Sequence, residues 1–443
     1  MNDLRPIERV IDLIDPSTNI LLNCSVTEAI EAVRGGDAAA VRSIKGQYAI
    51  VAREGRVVRM ARSIGRPMRY FLAKREAGPC LIVAERIASI QETLQAEGLG
   101  DQFHPSYTRM VPAHHILELH LVGCPDPNPT LQRFFDPPRG TLPPDIDVIG
   151  RAYVGAVLNQ LADWLDQIDA REPIGVLFSG GIDSGALVVL LHHLLLARGE
   201  NPARLKAFTL AVGEEATDAR QAREFLRALG MEMLLELIEV PPSHIRWQEA
   251  VRVIEDYKPL DVQAAAMTLA ICREIRQRYP TWTWLVDGDG GDENLKDYPI
   301  EDNPELTIRS VLNNSMLYQE GWGVNAIKHS LVFSGGQSRG HVRTFAPAAQ
   351  FGFRGFSPYS IPAVIEVAEA IPFVELTDWD HQRLYRLKGE VVRSGVEQLI
   401  GHRIPIYEKR RFQQGATSSD LFTRLFPSSE LVYRREFDAA FSS

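Results

Sequence analysis

The chain has 443 residues, 45% of them hydrophobic and 24% charged, which suits a water-soluble globular protein of about two or three domains. Its net charge of −9 lacks the basic surface that a general nucleic-acid binder needs, so no nucleic-acid partner is expected. Cys24, Cys80, Cys124 and Cys272 are scattered without a CxxC pair, which argues against a zinc or dithiol site and fits a reducing cytoplasm.

The opening MNDLRPIERV has no apolar signal core, and the longest apolar run, near Ala186–Ala197, is interrupted by His192 and His193. That run is too short to cross a bilayer, so no membrane partner is expected. Residues 1–135 read as β-rich. Gln47–Ala52 and Val57–Ala61 are strand-like and flank the hairpin turn REGR, and Tyr70–Ala73 and Cys80–Ala84 continue the pattern. His114 and His115 have no companion at metal-ligand spacing. Proline is dense at residues 125–129 and 136–144, which marks a linker and puts the boundary near 135–147.

From Val148 the texture changes. Residues 148–168 are periodic as a helix. Strand and helix then alternate through Ile174–Phe178, the apolar segment after Ser184, Leu205–Val212, Ala219–Leu229 and Met233–Val240. A helical stretch at 247–277 and the strand Trp282–Val286 complete this series. The alternation predicts an α/β fold, a doubly wound parallel sheet with a helical C-terminal part. Ligands of such sheets bind at the carboxyl ends of the strands. His192 and His193 fit packing better than ligation, Trp282, Trp284 and Trp322 fit a core or an interface, and Ser334–Ser338 reads as a loop.

Two strand ends carry the chemistry. Residues 179–184 read SGGIDS after an apolar strand and before a helix. Gly180 and Gly181 let backbone N–H groups approach an anion, and the helix start adds partial positive charge. Ser179 and Ser184 can donate to phosphate oxygens. Asp183 would repel a bare phosphate, which implies a bridging cation, Mg²⁺. Alone, this turn also fits a plain strand-to-helix connection with Asp183 or Ser184 as a cap. Residues 287–293 read DGDGGDE, with Asp287, Gly288, Asp289 and Asp292 in a second strand-end turn. Alone it fits a solvated acidic loop. Paired with the first, it lets Asp183 and Asp292 share one Mg²⁺.

Together the turns resemble those of the asparagine synthetase family and its relatives, the β-lactam synthetases and lasso-peptide cyclases, whose pattern is SGGxDS followed by an SGEGADE-like turn. Leu205–Leu210 resembles the family's adenine-side strand, and Glu255-Asp-Tyr its acidic-aromatic segment. The segment 61–71, ARSIGRPMRYF, resembles the back half of a glutamine amidotransferase domain of the Ntn type, and Ala84-Glu-Arg follows it as the family's short SE motif does. Phe351–Tyr359 resembles the family's GxExRxPF segment, and Lys409–Ser419 the loop that carries the catalytic lysine of β-lactam synthetases.

The resemblance implies a degenerate amidotransferase-like domain over 1–135 and an ATP-pyrophosphatase domain over 148–443. ATP contacts would fall on Leu177, Ser179, Gly180, Gly181, Asp183 and Ser184, and on Leu210, Asp287 and Gly288. Lys409 would hold developing charge, and Lys388 resembles a phosphate-contacting lysine, although both also suit solvated surface positions. The chain departs from the family at Asn2, where an active glutaminase has cysteine, so no glutaminase activity of its own is expected. Asp289 stands where asparagine synthetases have Glu and β-lactam synthetases Tyr, as a general base or a metal ligand. Arg354 replaces a family Glu and could pair with a substrate carboxylate. The expected activity is AMP-forming amide synthesis from a small carboxylate and ammonia or an amine. An ammonia-supplying partner protein and a homodimer are left open. A ring-closing cyclase, a non-catalytic ATP-binding scaffold and a tRNA-modifying ATP pyrophosphatase are the competing readings.

Overall fold

A computed structural model describes residues 9–74, 80–122, 128–213, 217–298, 300, 307–313, 340–407 and 415–442. The described residues group into two units. One holds those up to Asp136 with Gly340, His341 and Phe437 onwards; the other holds 137–313 and Val342–Glu436.

In the first unit the strands run β1 (Arg9–Asp12), β2 (Ile20–Leu21), β3 (Gly46–Gln47), β4 (Ala49–Glu54), β5 (Val57–Arg62), β6 (Arg69–Ala73), β7 (Cys80–Ala84), β8 (Arg109–Met110), β9 (His115–His120) and β10 (Thr130–Arg133). They form a mixed sheet β1-β7-β6-β8, an antiparallel sheet β10-β9-β5-β4 and a short β2-β3 ladder. The expected hairpin is β4–β5, paired from Ala49↔Arg62 to Glu54↔Val57 across a turn where Gly55 takes φ +57°. Val58, Met60, Leu117 and Leu119 of one sheet share a core with Tyr70, Leu81 and Val83 of the other. Phe71 and Ile82 point the opposite way, onto Ile90 and Leu94 of the helix Ile87–Ala96. β7 is therefore covered on both faces, which is why CLIVA is apolar throughout instead of alternating. His114 belongs to this interior, edge-on to the Phe134 and Phe135 rings.

In the second unit, β11 (Ile174–Leu177), β12 (Leu205–Val212), β13 (Leu235–Val240), β14 (Trp284–Val286) and β15 (Arg354–Phe356) form one parallel sheet in the order β13-β12-β11-β14-β15. The chain winds outward from β11 to β13 and then returns to β11's other side as β14. The order reverses between β11 and β14, and the two glycine-rich turns follow those two strands. The helix expected at 247–277 is two helices, Trp247–Ile254 and Pro259–Arg278. Glu255 closes the first at φ +54°, and Pro259 opens the second, where its missing N–H costs nothing. β15 arises inside the section expected to be helical; at three residues it is too short to show alternation. Trp282 and Trp284 are core residues, one of the two placements expected for them. The proline-rich segment is pinned to its own unit, since Gly140 and Leu142 donate backbone hydrogen bonds to Glu369 and Ala370.

A long helix, Ile146–Leu165, crosses another, His381–Ile400, at two glycines. A Cβ on Gly395 would lie 2.1 Å from the Gly150 carbonyl oxygen. The second helix is capped by Asp380, which accepts from the Arg383 N–H, and by Gly401 at φ +74°. This close crossing sets the position of Lys388, seven residues and about two turns before Gly395. Among the described residues no helix is long and apolar enough to cross a membrane.

Candidate active site

β11 ends at the first turn, where Gly180 takes φ +78° and sits against the helix Thr217–Ala228; a Cβ there would lie 2.8 Å from the Ala222 nitrogen. Gly181 begins the helix Ile182–Ala197 and leaves its first N–H groups without a side-chain cap. The bland reading of Asp183 or Ser184 as the cap is not what this turn does. Ser179 and Ser184 face each other, Oγ to Oγ 3.5 Å, and Ser179 Oγ accepts from the Gly181 N–H at 3.3 Å. An uncapped helix start with two hydroxyls beside it suits an anion.

The second turn nests on the first. A Cβ on Gly288 would come within 3.0 Å of the Ser184 nitrogen, and one on Gly291 within 2.5 Å of Asp183 Cγ. These glycines are small because the Asp183 carboxylate needs the space. Asp287 is buried and accepts from the Ser357 hydroxyl at 2.7 and 2.8 Å and from the Asp289 N–H at 3.1 Å. Burial, with Asp289 close by, raises its pKa well above the usual carboxylate range. Asp289 is half-buried, with an Oδ2 that is enclosed and has no hydrogen-bond partner. Burial pushes its carboxyl up to about 6, against the opposing pull of the Thr344 hydroxyl and Arg343.

Lys388 ties the turns together. Its ammonium is 2.5 Å from Asp183 Oδ2 and 3.2 Å from Asp297 Oδ2, and it also bonds Asp292 Oδ1. Burial alone would lower its pKa, but Asp183, Asp292 and Asp297 hold it well above the ordinary lysine value. Tyr359, stacked on Tyr153, donates from its hydroxyl to the Asp183 carbonyl at 3.0 Å. Asn294 donates to the Tyr359 carbonyl at 2.9 Å. The convergence of Asp183 and Asp292 on one cationic point suits a divalent ion, which one or two carboxylates can hold. Among the described residues no group of three or more His, Cys, Asp or Glu side chains forms a metal cage.

Of the residues expected from the sequence, Ser179, Gly180, Gly181, Asp183, Ser184, Asp287, Gly288, Asp289, Asp292 and Lys388 lie in these two turns or bond to them. Leu177 ends β11, and Leu210 is buried in the neighbouring β12. Lys409 lies outside the described residues, as does Ser334–Ser338. On either side of Lys409, Tyr407 meets the Phe225 ring and the Gly415 carbonyl accepts from Thr217. Arg354 lies away from the two turns. It opens β15 level with Trp284, its guanidinium 4.5 Å over the Trp284 ring, at the amino end of a parallel sheet whose carboxyl end carries the turns. His192 and His193 are half-exposed on their helix.

Sequence reasoning missed Asp297, Ser357, Tyr359 and the Arg343–Thr344 pair. Ser357 and Tyr359 stand within the segment already noted for its family likeness, where only Arg354 drew attention. Nearby, Arg343 Nε donates to Asp261 Oδ1 at 2.7 Å, and burial followed by Asp261 raises the Asp256 carboxyl to about 6.

No curated protein matches the chain by sequence. The family model for asparagine synthase matches residues 156–341, a span that holds both turns. With that match and the paired turns on one sheet, residues 156–341 are similar to the asparagine synthase family.

Proposed function

We propose that this chain is an ATP-dependent, AMP-forming amide synthetase that joins a small carboxylic acid to ammonia or an amine. The family's ATP-dependent ligation chemistry supplies the frame. The observation that carries the reading is the convergence of Asp183 and Asp292 on one cationic point beside an uncapped helix start.

A carboxylate is a poor acyl donor because oxide is a poor leaving group. Attack of its oxygen on the α-phosphorus of ATP gives an acyl-adenylate and pyrophosphate, and the amine then displaces AMP. Asp183 and Asp292 would hold Mg²⁺, which takes one or two carboxylates readily when phosphate oxygens complete its shell. When bound, Mg²⁺ would neutralise charge on the departing pyrophosphate. The N–H groups that open the helix Ile182–Ala197 and the Ser179 and Ser184 hydroxyls would orient the phosphates. Lys388 adds a positive charge beside them. Asp289 would take the proton from the attacking amine, since a carboxyl near 6 is ionised at neutral pH and still basic enough to accept one. Lys409 remains the candidate cation for the amide-forming step.

The experiment is pyrophosphate and AMP release from Mg-ATP across a panel of amino and dicarboxylic acids, each with ammonium or a primary amine. Release that requires one acid and one amine, and that Asp183→Ala abolishes, is the expected result. ATP binding without release under any pairing would favour the non-catalytic scaffold instead.

A further inference from the structure

Lys388 occupies the point between Asp183 and Asp292 that a metal bridging those two carboxylates would need. A divalent ion of the Mg²⁺ type binding those oxygens at about 2.0–2.1 Å would sit a few ångströms from the buried ammonium, so each cation disfavours the other at this point. The two cations therefore compete. Asp297 gives Lys388 a third partner at 3.2 Å and is almost fully buried. Asp292 is the most open of the three carboxylates, with a side chain 39% exposed against 16% for Asp183 and 9% for Asp297. An incoming ion meets Asp292 first. One ammonium among three carboxylates leaves two net negative charges, the complement of one divalent cation.

We propose that Lys388 is an exchangeable occupant of the metal point, and that Asp297 is the positioning residue that retains it when metal takes Asp183 and Asp292. Swung onto Asp297, Lys388 stays beside the site with its charge directed at the phosphates. The exchange makes metal binding without nucleotide weak, so that metal and ATP enter together. This inference rests on the metal reading of Asp183 and Asp292 given above.

The test is Mn²⁺ binding followed by the loss of free-ion EPR signal, with and without ATP. Without nucleotide, Lys388→Met is expected to bind Mn²⁺ at least about tenfold more tightly than the native protein, and adding Asp292→Asn removes the gain. Asp297→Asn is expected to weaken Mn²⁺ binding in the native background, because Lys388 then has only the metal's own ligands. It is expected to have no effect in the Lys388→Met background. Equal weakening in both backgrounds would make Asp297 a metal ligand and overturn its positioning role. Lys388→Met binding no tighter than native would overturn the exchange. If Asp292→Asn also left Mn²⁺-ATP binding intact, the metal reading itself would fall, so the two failures are distinguishable. Lys388→Gln serves the same comparison should Lys388→Met not fold, with folding checked by far-UV circular dichroism.

Discussion

Asp287 and Asp289 are two residues apart and differ in what surrounds them. Asp287 is buried and shares the one hydroxyl proton of Ser357 between its two oxygens, a structural carboxyl that shapes the turn. Asp289 has one enclosed oxygen without a partner and a carboxyl pushed up to about 6. As a base it works only when ionised, so kcat/KM is expected to fall about tenfold per pH unit below about 6. Asp289→Asn should lower kcat/KM by about 10²–10⁴-fold and flatten that acid limb, with the amine concentration corrected for its own protonation. The sign for stability is opposite. A carboxyl whose folded pKa lies above its unfolded value near 3.8 loses stability as pH rises through about 6. Asp289→Asn should therefore raise Tm at pH 7, while near pH 4 the two proteins converge. A drop in activity without the Tm gain at pH 7 would remove Asp289 from the role of a desolvated base.

At the scale of elements, the position of Lys388 depends on how closely two helices approach. Gly150 and Gly395 form the crossing, where a Cβ on Gly395 would meet the Gly150 carbonyl at 2.1 Å and Val154 Cγ2 at 2.4 Å. Gly395→Ala must push the helices apart, which costs about 1–3 kcal/mol and draws Lys388 away from Asp183. Gly155→Ala is the control, because its Cβ would meet only Leu399 Cδ1 at 3.9 Å and alanine favours a helix over glycine by about 1 kcal/mol. Thermal melts should place Gly395→Ala below the native protein and Gly155→Ala at or above it, with ligase activity lost only in the former. None of this is legible in the sequence. The stretch KGEVVRSG around Lys388 and Gly395 looks like an ordinary solvated helix, and which glycine faces another helix is a tertiary fact. The two turns were legible because their chemistry is local: a strand, glycines and a carboxylate within a few residues. Asp297 and Tyr359 were not, since each acts only after folding brings it to Asp183 or to Lys388. The place of Arg354 was not legible for the converse reason, because a segment likeness says nothing about which end of a strand a residue occupies.

For the whole molecule, the question is where the nitrogen comes from. A chain that released ammonia from glutamine would need a thiolate in its first unit. Cys24 is half-buried, and burial followed by the nearby Glu28 raises its thiol above the ordinary range. Cys80 is buried within β7, in the layer between that sheet and the helix Ile87–Ala96. Neither has the electropositive, accessible surroundings that generate a nucleophilic thiolate. Ammonium is therefore expected to support AMP release in the presence of the correct acid, and equimolar glutamine is expected to support none. Cys24→Ser should leave the ammonium-dependent rate unchanged. The decisive reading is glutamate release from glutamine: its appearance in the native protein and its loss in Cys24→Ser would restore a glutaminase to the first unit. Its absence from both, with ammonium turnover intact, makes free ammonia, an amine substrate or a separate ammonia-supplying protein the source.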